Sequence, residues 1–251
     1  MDKYAAIVSF WQNKKISNVA ELEVALNGHI ILFAYHSGKI ENSSITYNDT
    51  REIFEHDGVT SYTGDLKTLF EIHNAREASR YMFAAYENRI QLDESFIKKL
   101  HYELTKGTYD TRRFQLGERP GHFKKHDYVT GIEEVGALPE DVNSEILELL
   151  DEIKNVQKRD VLTAAAYFHA KFENIHPFAD GNGRVGRLAT NYFFIQNDHP
   201  PIIFHEDSKK SYYSSLEAWD RSQNIEAMKL YLKMETVRTW EKQLGRKVYC
   251  K

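Results

Sequence analysis

The chain has 251 residues and a formal net charge of −4, from 33 lysines and arginines against 37 aspartates and glutamates. This length suits one ordinary domain, or one domain with an appendage, and the acidic balance argues against direct nucleic-acid binding, which needs a broad basic face. Because Cys250 is the only cysteine and no apolar run is long enough to cross a bilayer, we expect a soluble cytoplasmic protein without disulfides, a cysteine metal cluster or a membrane partner.

Apolar residues recur at helical spacing along most of the chain, as in Leu66, Leu69 and Phe70, whereas two-residue alternation is nearly absent. This pattern predicts a mainly α fold. Gly107 and Gly245 are predicted to stop two of the helices at their C-terminal ends. The predicted helices cover residues 4–13, 17–36, 64–90, 93–106, 139–157, 160–175, 183–197, 208–222 and 224–244.

Residues 109–137 interrupt the helical pattern. They contain turn residues and scattered glycines, together with short β-compatible pieces around Phe123 and around Tyr128 and Val129. Such pieces, separated by glycine-containing turns, are typical of a β-hairpin, so we predict one here.

Residues 176–187, HPFADGNGRVGR, combine a base, an acid, two glycines that flank an amide, and two arginines. Glycines let the backbone approach an anion closely, and the amides that open a helix face phosphate with the positive end of the helix dipole. Arg184 and Arg187 fall in the first turn of the predicted helix, on one face, where they can clamp phosphate oxygens. The segment therefore indicates a phosphoryl- or nucleotidyl-transfer site.

The same segment contains a second pattern, GxGxxG, in residues 181–186. A dinucleotide-binding fold needs a hydrophobic strand directly before these glycines. Residues 160–175 are instead rich in alanine and long enough for a helix, with Asp160 as its cap. The dinucleotide interpretation is therefore disfavoured.

The motif at residues 176–187 fills every specified position of the Fic family signature, HxFx(D/E)GNGRxxR, and the chain resembles that family over roughly residues 64–235. The resemblance implies a Fic-type helical bundle with one β-hairpin, called the flap, before the motif helix. It also suggests two parts: an N-terminal helical segment, residues 1–63, and a Fic core with C-terminal helices, residues 64–251.

Residues 121–129 resemble the flap, which in this family lies beside the modified hydroxyl. The resemblance implies that Phe123, Lys124, Tyr128 and Val129 contact the target. Lys124 is a departure, because the family often has arginine at this place in the turn.

Fic proteins usually transfer AMP from ATP to a protein hydroxyl, and the resemblance implies this activity here, with Mg²⁺ as cofactor. His176 is the implied general base, because a Ser, Thr or Tyr hydroxyl must lose its proton as it attacks phosphorus. Asp180 offers a carboxylate for Mg²⁺. The implied nucleotide-binding residues are Gly181, Asn182, Gly183, Arg184, Arg187, Asn191, Lys209 and Tyr212. Asn191 could alternatively cap a neighbouring segment, and Tyr212 could alternatively be a core residue.

A second motif lies upstream, where Ser37, Glu41 and Asn42 match the inhibitory pattern (S/T)xxxE(G/N) that many Fic proteins carry. Ser37 and Glu41 are four residues apart, so on a helix they share a face. The resemblance implies that Glu41 pairs with Arg187 and denies it to the γ-phosphate. An ordinary helix end near Gly38 is the alternative.

Three further functions remain open. The first is removal of AMP, with Glu41 orienting water, and the second is transfer of another group, such as a different nucleotide or phosphocholine. A non-catalytic regulator on the same scaffold is the third. A metal hydrolase is a weaker interpretation, because His169, His176, His199 and His205 show no recognised zinc spacing. The expected partners are ATP and a protein substrate, and the chain itself is one candidate substrate. The sequence leaves self-association open.

Overall fold

The computed structural model describes residues 2–128 and 136–248, with side chains through residue 245. Within these ranges the chain forms twelve α-helices and no β-strand. The helices are Lys3–Gln12 (α1), Val19–Ala25 (α2), His29–Glu41 (α3), Tyr47–His56 (α4), Leu66–Glu87 (α5), Glu94–Thr105 (α6), Thr111–Gln115 (α7), Val142–Glu152 (α8), Val161–Ile175 (α9), Asn182–Gln196 (α10), Lys209–Ser222 (α11) and Ile225–Val248 (α12). The predicted mainly α fold is confirmed.

Polar caps explain where several helices begin. The side chain of Asp65 accepts the backbone N–H of Thr68 at the start of α5, and that of Asp93 accepts the N–H of Phe96 at the start of α6. Each cap satisfies one backbone donor that a helix leaves without an internal partner, which stabilises the helix by about 1 kcal/mol.

The helix predicted over residues 17–36 is two helices, α2 and α3. Gly28 begins α3 with a φ of +72°, in the left-handed region that an α-helix cannot continue through. The second helix then runs past the predicted stop to Glu41. The structure also contains α4, which the sequence pattern did not predict.

Helices α9 and α10 occupy the centre of the molecule. Helix α9 lies against α8, α11 and α12, and α10 lies against α3, α6 and α9. Phe168, Phe172 and Phe194 are fully buried at this centre. Because α10 is buried along almost its whole length, it carries the polar part of the motif into the interior.

The N-terminal segment packs on the rest of the protein. Trp11 of α1 meets Trp240 of α12 edge to face at 5.2 Å between ring centroids, and α3 lies against both α5 and α10. Described side chains before and after residue 63 therefore share one hydrophobic core. Within the described helices, none is both long and apolar enough to cross a membrane.

The predicted β-hairpin is not found in the described part of residues 109–137, which holds α7 and turns. The local backbone donors are used in other ways. The N–H of Lys124 donates to the carbonyl of Pro177, and that of Lys125 donates to the carboxylate of Glu118. Val129 lies outside the described residues.

Candidate active site

The loop between α9 and α10 holds the centre of the motif. His176 ends α9 with a φ of +51°, and Gly181 begins α10 with a φ of +86°. A Cβ atom on Gly181 would also lie 2.7 Å from Cγ2 of Thr105. Glycine is needed here both for the backbone conformation and for the close approach to α6.

His176 is half-buried, and its Nδ1 atom is buried without a hydrogen-bond partner among the described residues. Burial, with a smaller contribution from the positive charge of Lys124, lowers the pKa of His176 to about 4. Because this pKa lies well below 7, the imidazole is neutral at neutral pH. A neutral imidazole in a partly open loop has the form that a general base requires.

Asn182 braces the loop from inside. Its Nδ2 atom donates to the carbonyl of Phe178 at 2.8 Å, and its Oδ1 atom accepts the N–H of Phe178 at 2.9 Å. The Asn182 side chain therefore fixes the geometry of the loop, and its backbone amide opens α10 toward an anion.

His101 of α6 is a site residue that the sequence analysis missed. Its ring stacks on Phe178 at 3.8 Å, and its Nδ1 atom accepts the N–H of Gly121 at 2.8 Å. Its Nε2 atom then donates to the carbonyl of Asp180 at 3.0 Å. No local pattern could reveal this role, because His101 and Asp180 are 79 positions apart in the sequence.

Arg187 is fully buried and bound to the upstream motif. Its Nε and NH2 atoms donate to Oγ and the carbonyl of Ser37, both at 2.9 Å, and NH2 also donates to Oε1 of Glu41 at 2.9 Å. A Cβ atom on Gly183 would lie 2.6 Å from Oε1 of Glu41, so glycine makes room for this contact. The structure thus brings together residues that are about 150 positions apart.

Arg184 is also buried, with 8% of its surface exposed, but it is held loosely. Its guanidinium lies 3.6 Å from Oδ1 of Asp180 and 3.7 Å from Oε1 of Glu71. Its Nε and NH1 atoms are buried without a hydrogen-bond partner in the described structure. A buried guanidinium with unused donors is suited to receive an anion.

Asp180 presents a carboxylate that is 27% exposed and flanked by two guanidinium groups, Arg184 and, at 3.8 Å, Arg113. Both guanidinium groups lie beyond hydrogen-bond distance, so the carboxylate oxygens are not bonded to either arginine. A hard cation such as Mg²⁺ binds in this way, through one carboxylate together with phosphate oxygens of a substrate.

The described residues contain no group of three or more His, Cys, Asp or Glu side chains that could hold a metal ion by themselves. His169 contacts Thr190 and Tyr212, His199 contacts Tyr4, and His205 contacts Glu235. Three of the four histidines considered for a zinc hydrolase thus have separate partners, and no described group of side chains supports that interpretation.

Three predicted nucleotide contacts have other partners. Asn191 uses both side-chain polar atoms on Ile202, at 2.8 Å each, and so takes the bracing role considered as its alternative. The hydroxyl of buried Tyr212 lies 2.9 Å from Nε2 of His169 in the core. Lys209 donates to the carbonyl of Ile40 at 2.5 Å and so holds the end of α3.

We expect Asn191→Ala to destabilise the protein by about 2–4 kcal/mol, because it leaves the buried N–H and carbonyl of Ile202 without partners. The free energy of unfolding in urea measures this loss. Asn27→Ala, at an exposed position, is the control and should change stability by no more than about 0.5 kcal/mol. Nucleotide affinity should be unchanged in Asn191→Ala, and a large loss of affinity without a loss of stability would return Asn191 to the nucleotide site.

The base of the predicted flap is fixed against the motif loop. The ring of Phe123 lies 5.4 Å from that of Phe178, and the carboxylate of buried Glu118 accepts the N–H of Lys125 at 3.0 Å and the hydroxyl of Tyr128 at 3.3 Å. Lys124 is 3% exposed, and burial lowers the pKa of its ammonium. The sequence analysis did not predict this role of Glu118.

The family model described as Fic/DOC family matches residues 91–194. Curated relatives include protein adenylyltransferase Fic of Drosophila persimilis, 30% identical over 191 residues, which are 73% of this chain and 35% of that protein. Protein adenylyltransferase fic-1 of Caenorhabditis briggsae is 26% identical over 192 residues, 74% of this chain and 36% of that protein. The chain thus spans about a third of the length of the curated relatives that it matches.

Solved structures share the fold. A Fic domain containing signaling protein from Bacteroides thetaiotaomicron matches with a TM-score of 0.78 and 20% identity, over 97% of this chain and 96% of that one. Fic-1 from C. elegans matches with a TM-score of 0.80 and 19% identity, over 99% of this chain and 73% of that one. At such identities the likeness establishes the fold alone.

Proposed function

We propose that this chain, a member of the Fic/DOC family whose model matches residues 91–194, transfers AMP from ATP to a Ser, Thr or Tyr hydroxyl of a protein. One observation carries the proposal. In the first turn of α10, the guanidinium of Arg184 lies 3.6 Å from Asp180, and that of Arg187 lies beside Gly183. His176 begins the loop that leads into this turn. Backbone amides and two guanidinium groups there can bind a triphosphate beside a neutral imidazole.

The proposed reaction forms a bond between the target hydroxyl oxygen and the α-phosphorus and breaks the bond from that phosphorus to the β-phosphate oxygen. His176 takes the hydroxyl proton, and pyrophosphate leaves. Arg184 and Arg187 hold the β- and γ-phosphates, and amides at residues 181–183 face the developing charge. Asp180 would hold Mg²⁺, which would supply positive charge to the phosphate groups.

We further propose that the wild-type protein is restrained by Glu41. The contact between Glu41, whose side chain is 37% exposed, and the fully buried Arg187 supports this idea, because an arginine that is engaged by a carboxylate is not free for a phosphate. In this view residues 1–63 are the regulatory segment and residues 64–251 are the catalytic part. Residues 121–129 are proposed to position the target peptide. In self-modification, that peptide is a segment of the chain itself.

Incubation with ATP labelled at the α-phosphate, followed by intact mass measurement, tests the activity. Retention of the label with the mass of one AMP supports the proposal. Retention of label only from the γ-phosphate would indicate a kinase, and no label on any protein, even with Glu41 replaced, would point to the non-catalytic regulator.

Removal of the metal or of its proposed ligand should stop transfer. We expect Asp180→Asn, or wild type with a chelator, to lose roughly a hundredfold or more of the rate. Mg²⁺ should restore the chelated enzyme and Zn²⁺ should not. Asp151→Asn, at an exposed position on α8, is the matched control and should keep full activity. Tight stoichiometric zinc in the purified protein would contradict the magnesium assignment.

A further inference from the structure

Arg184 and Arg187 are held in different ways. Arg187 makes three hydrogen bonds to α3, through Ser37 and Glu41. Arg184 instead lies between two carboxylates without a hydrogen bond to either, as its distances of 3.6 Å to Asp180 and 3.7 Å to Glu71 indicate. Asp180 has a proposed role in the reaction, whereas Glu71 has none.

Glu71 lies on α5 and is 9% exposed. Its Oε2 atom accepts a hydrogen bond at 2.7 Å from Nδ2 of Asn42, the residue directly after α3. Its Oε1 atom faces Arg184 and, at 3.8 Å, the ammonium of Lys67, whose side chain is 54% exposed. One buried carboxylate thus contacts both the end of the proposed inhibitory helix and the first arginine of the motif.

We propose that Glu71 is a second restraining carboxylate, which positions Arg184 in the nucleotide-free protein and competes with phosphate for it. The inference rests on the proposed function and extends its regulation from Arg187 to Arg184. Glu71 places a negative charge beside the group that must accept a negatively charged phosphate, so nucleotide binding has to overcome this attraction. The bond to Asn42 fixes the carboxylate in place and links it to α3.

The two carboxylates act on different arginines. Glu41 withholds Arg187, and Glu71 withholds Arg184, so relief of one restraint leaves the other in force. Removal of Glu71 should therefore still tighten ATP binding after Glu41 has been removed. A purely structural Glu71 would weaken the fold without improving nucleotide binding.

Glu71→Gln provides the test, because glutamine keeps the acceptor for Asn42 and removes the charge near Arg184. We expect the Kd for ATP, measured by calorimetry, to fall about three- to tenfold. In the Glu41→Gly background the same change should raise the AMP-transfer rate by a similar factor. Glu77→Gln on the same helix, whose partner is Arg80, is the matched control and should change neither quantity.

Asn42→Ala separates the two contacts of Glu71, because it removes the link to α3 and leaves the charge beside Arg184. An unchanged or weaker ATP affinity in Glu71→Gln, with melting temperature preserved, overturns the proposal. The proposal is also overturned if the gain in ATP affinity of Glu71→Gln disappears in the Glu41→Gly background and is reproduced by Asn42→Ala. Glu71 would then act only through α3. Tighter ATP binding in Glu71→Gln without AMP transfer by any variant would instead reject the proposed function and keep the restraint on Arg184.

Discussion

His176→Ala is expected to abolish AMP transfer and to leave ATP binding nearly unchanged. Removal of a general base lowers a rate by about two to four orders of magnitude, because the attacking hydroxyl then keeps its proton. The phosphates are assigned to Arg184, Arg187 and the amides at the start of α10, so their binding does not depend on the imidazole.

Single-turnover transfer and ATP affinity, measured on the same preparation, check this expectation. His73→Ala is the matched control, because His73 is exposed on α5 and lies outside the site. Equal loss of affinity and rate would show that His176 supports the loop and not the chemistry. Persistent self-modification by His176→Ala would remove the residue from the base role.

Glu41→Gly should raise AMP transfer by about one to two orders of magnitude, with self-modification as the first readout. The reason is the contact between Oε1 of Glu41 and the fully buried guanidinium of Arg187. Once that carboxylate is gone, Arg187 can take the γ-phosphate, and the α-phosphate can align with the attacking hydroxyl. Glu41→Gln is the companion variant, because it removes the charge and keeps the end of α3 helical.

Adding Arg187→Ala to the activated variant should cancel the gain, because the freed group no longer exists. An unchanged rate in a folded Glu41→Gly protein would make the contact structural and the match of residues 37–42 accidental. Accumulation of AMP on a target that the wild type strips would assign Glu41 to the removal reaction.

The sequence by itself determined the class of the fold and the position of the motif. Helical spacing is local, so α9 and α10 begin and end within a few residues of their predicted bounds. The motif at residues 176–187 is contiguous, and its chemistry follows from its residue types. Even the distant Glu41 could be paired with Arg187 in advance, because the resemblance to the family supplied the link, whereas the contacts of Ser37 with Arg187 came only from the structure.

Only the tertiary structure decided which polar groups are free. Asn182 faces Phe178, Asn191 faces Ile202, and Lys209 faces the end of α3, and none of these partners can be read from spacing. Glu71 contacts Arg184 across two helices that are far apart in the sequence. Burial explains the difference: a polar group removed from water must find a partner, and packing decides which one is in reach.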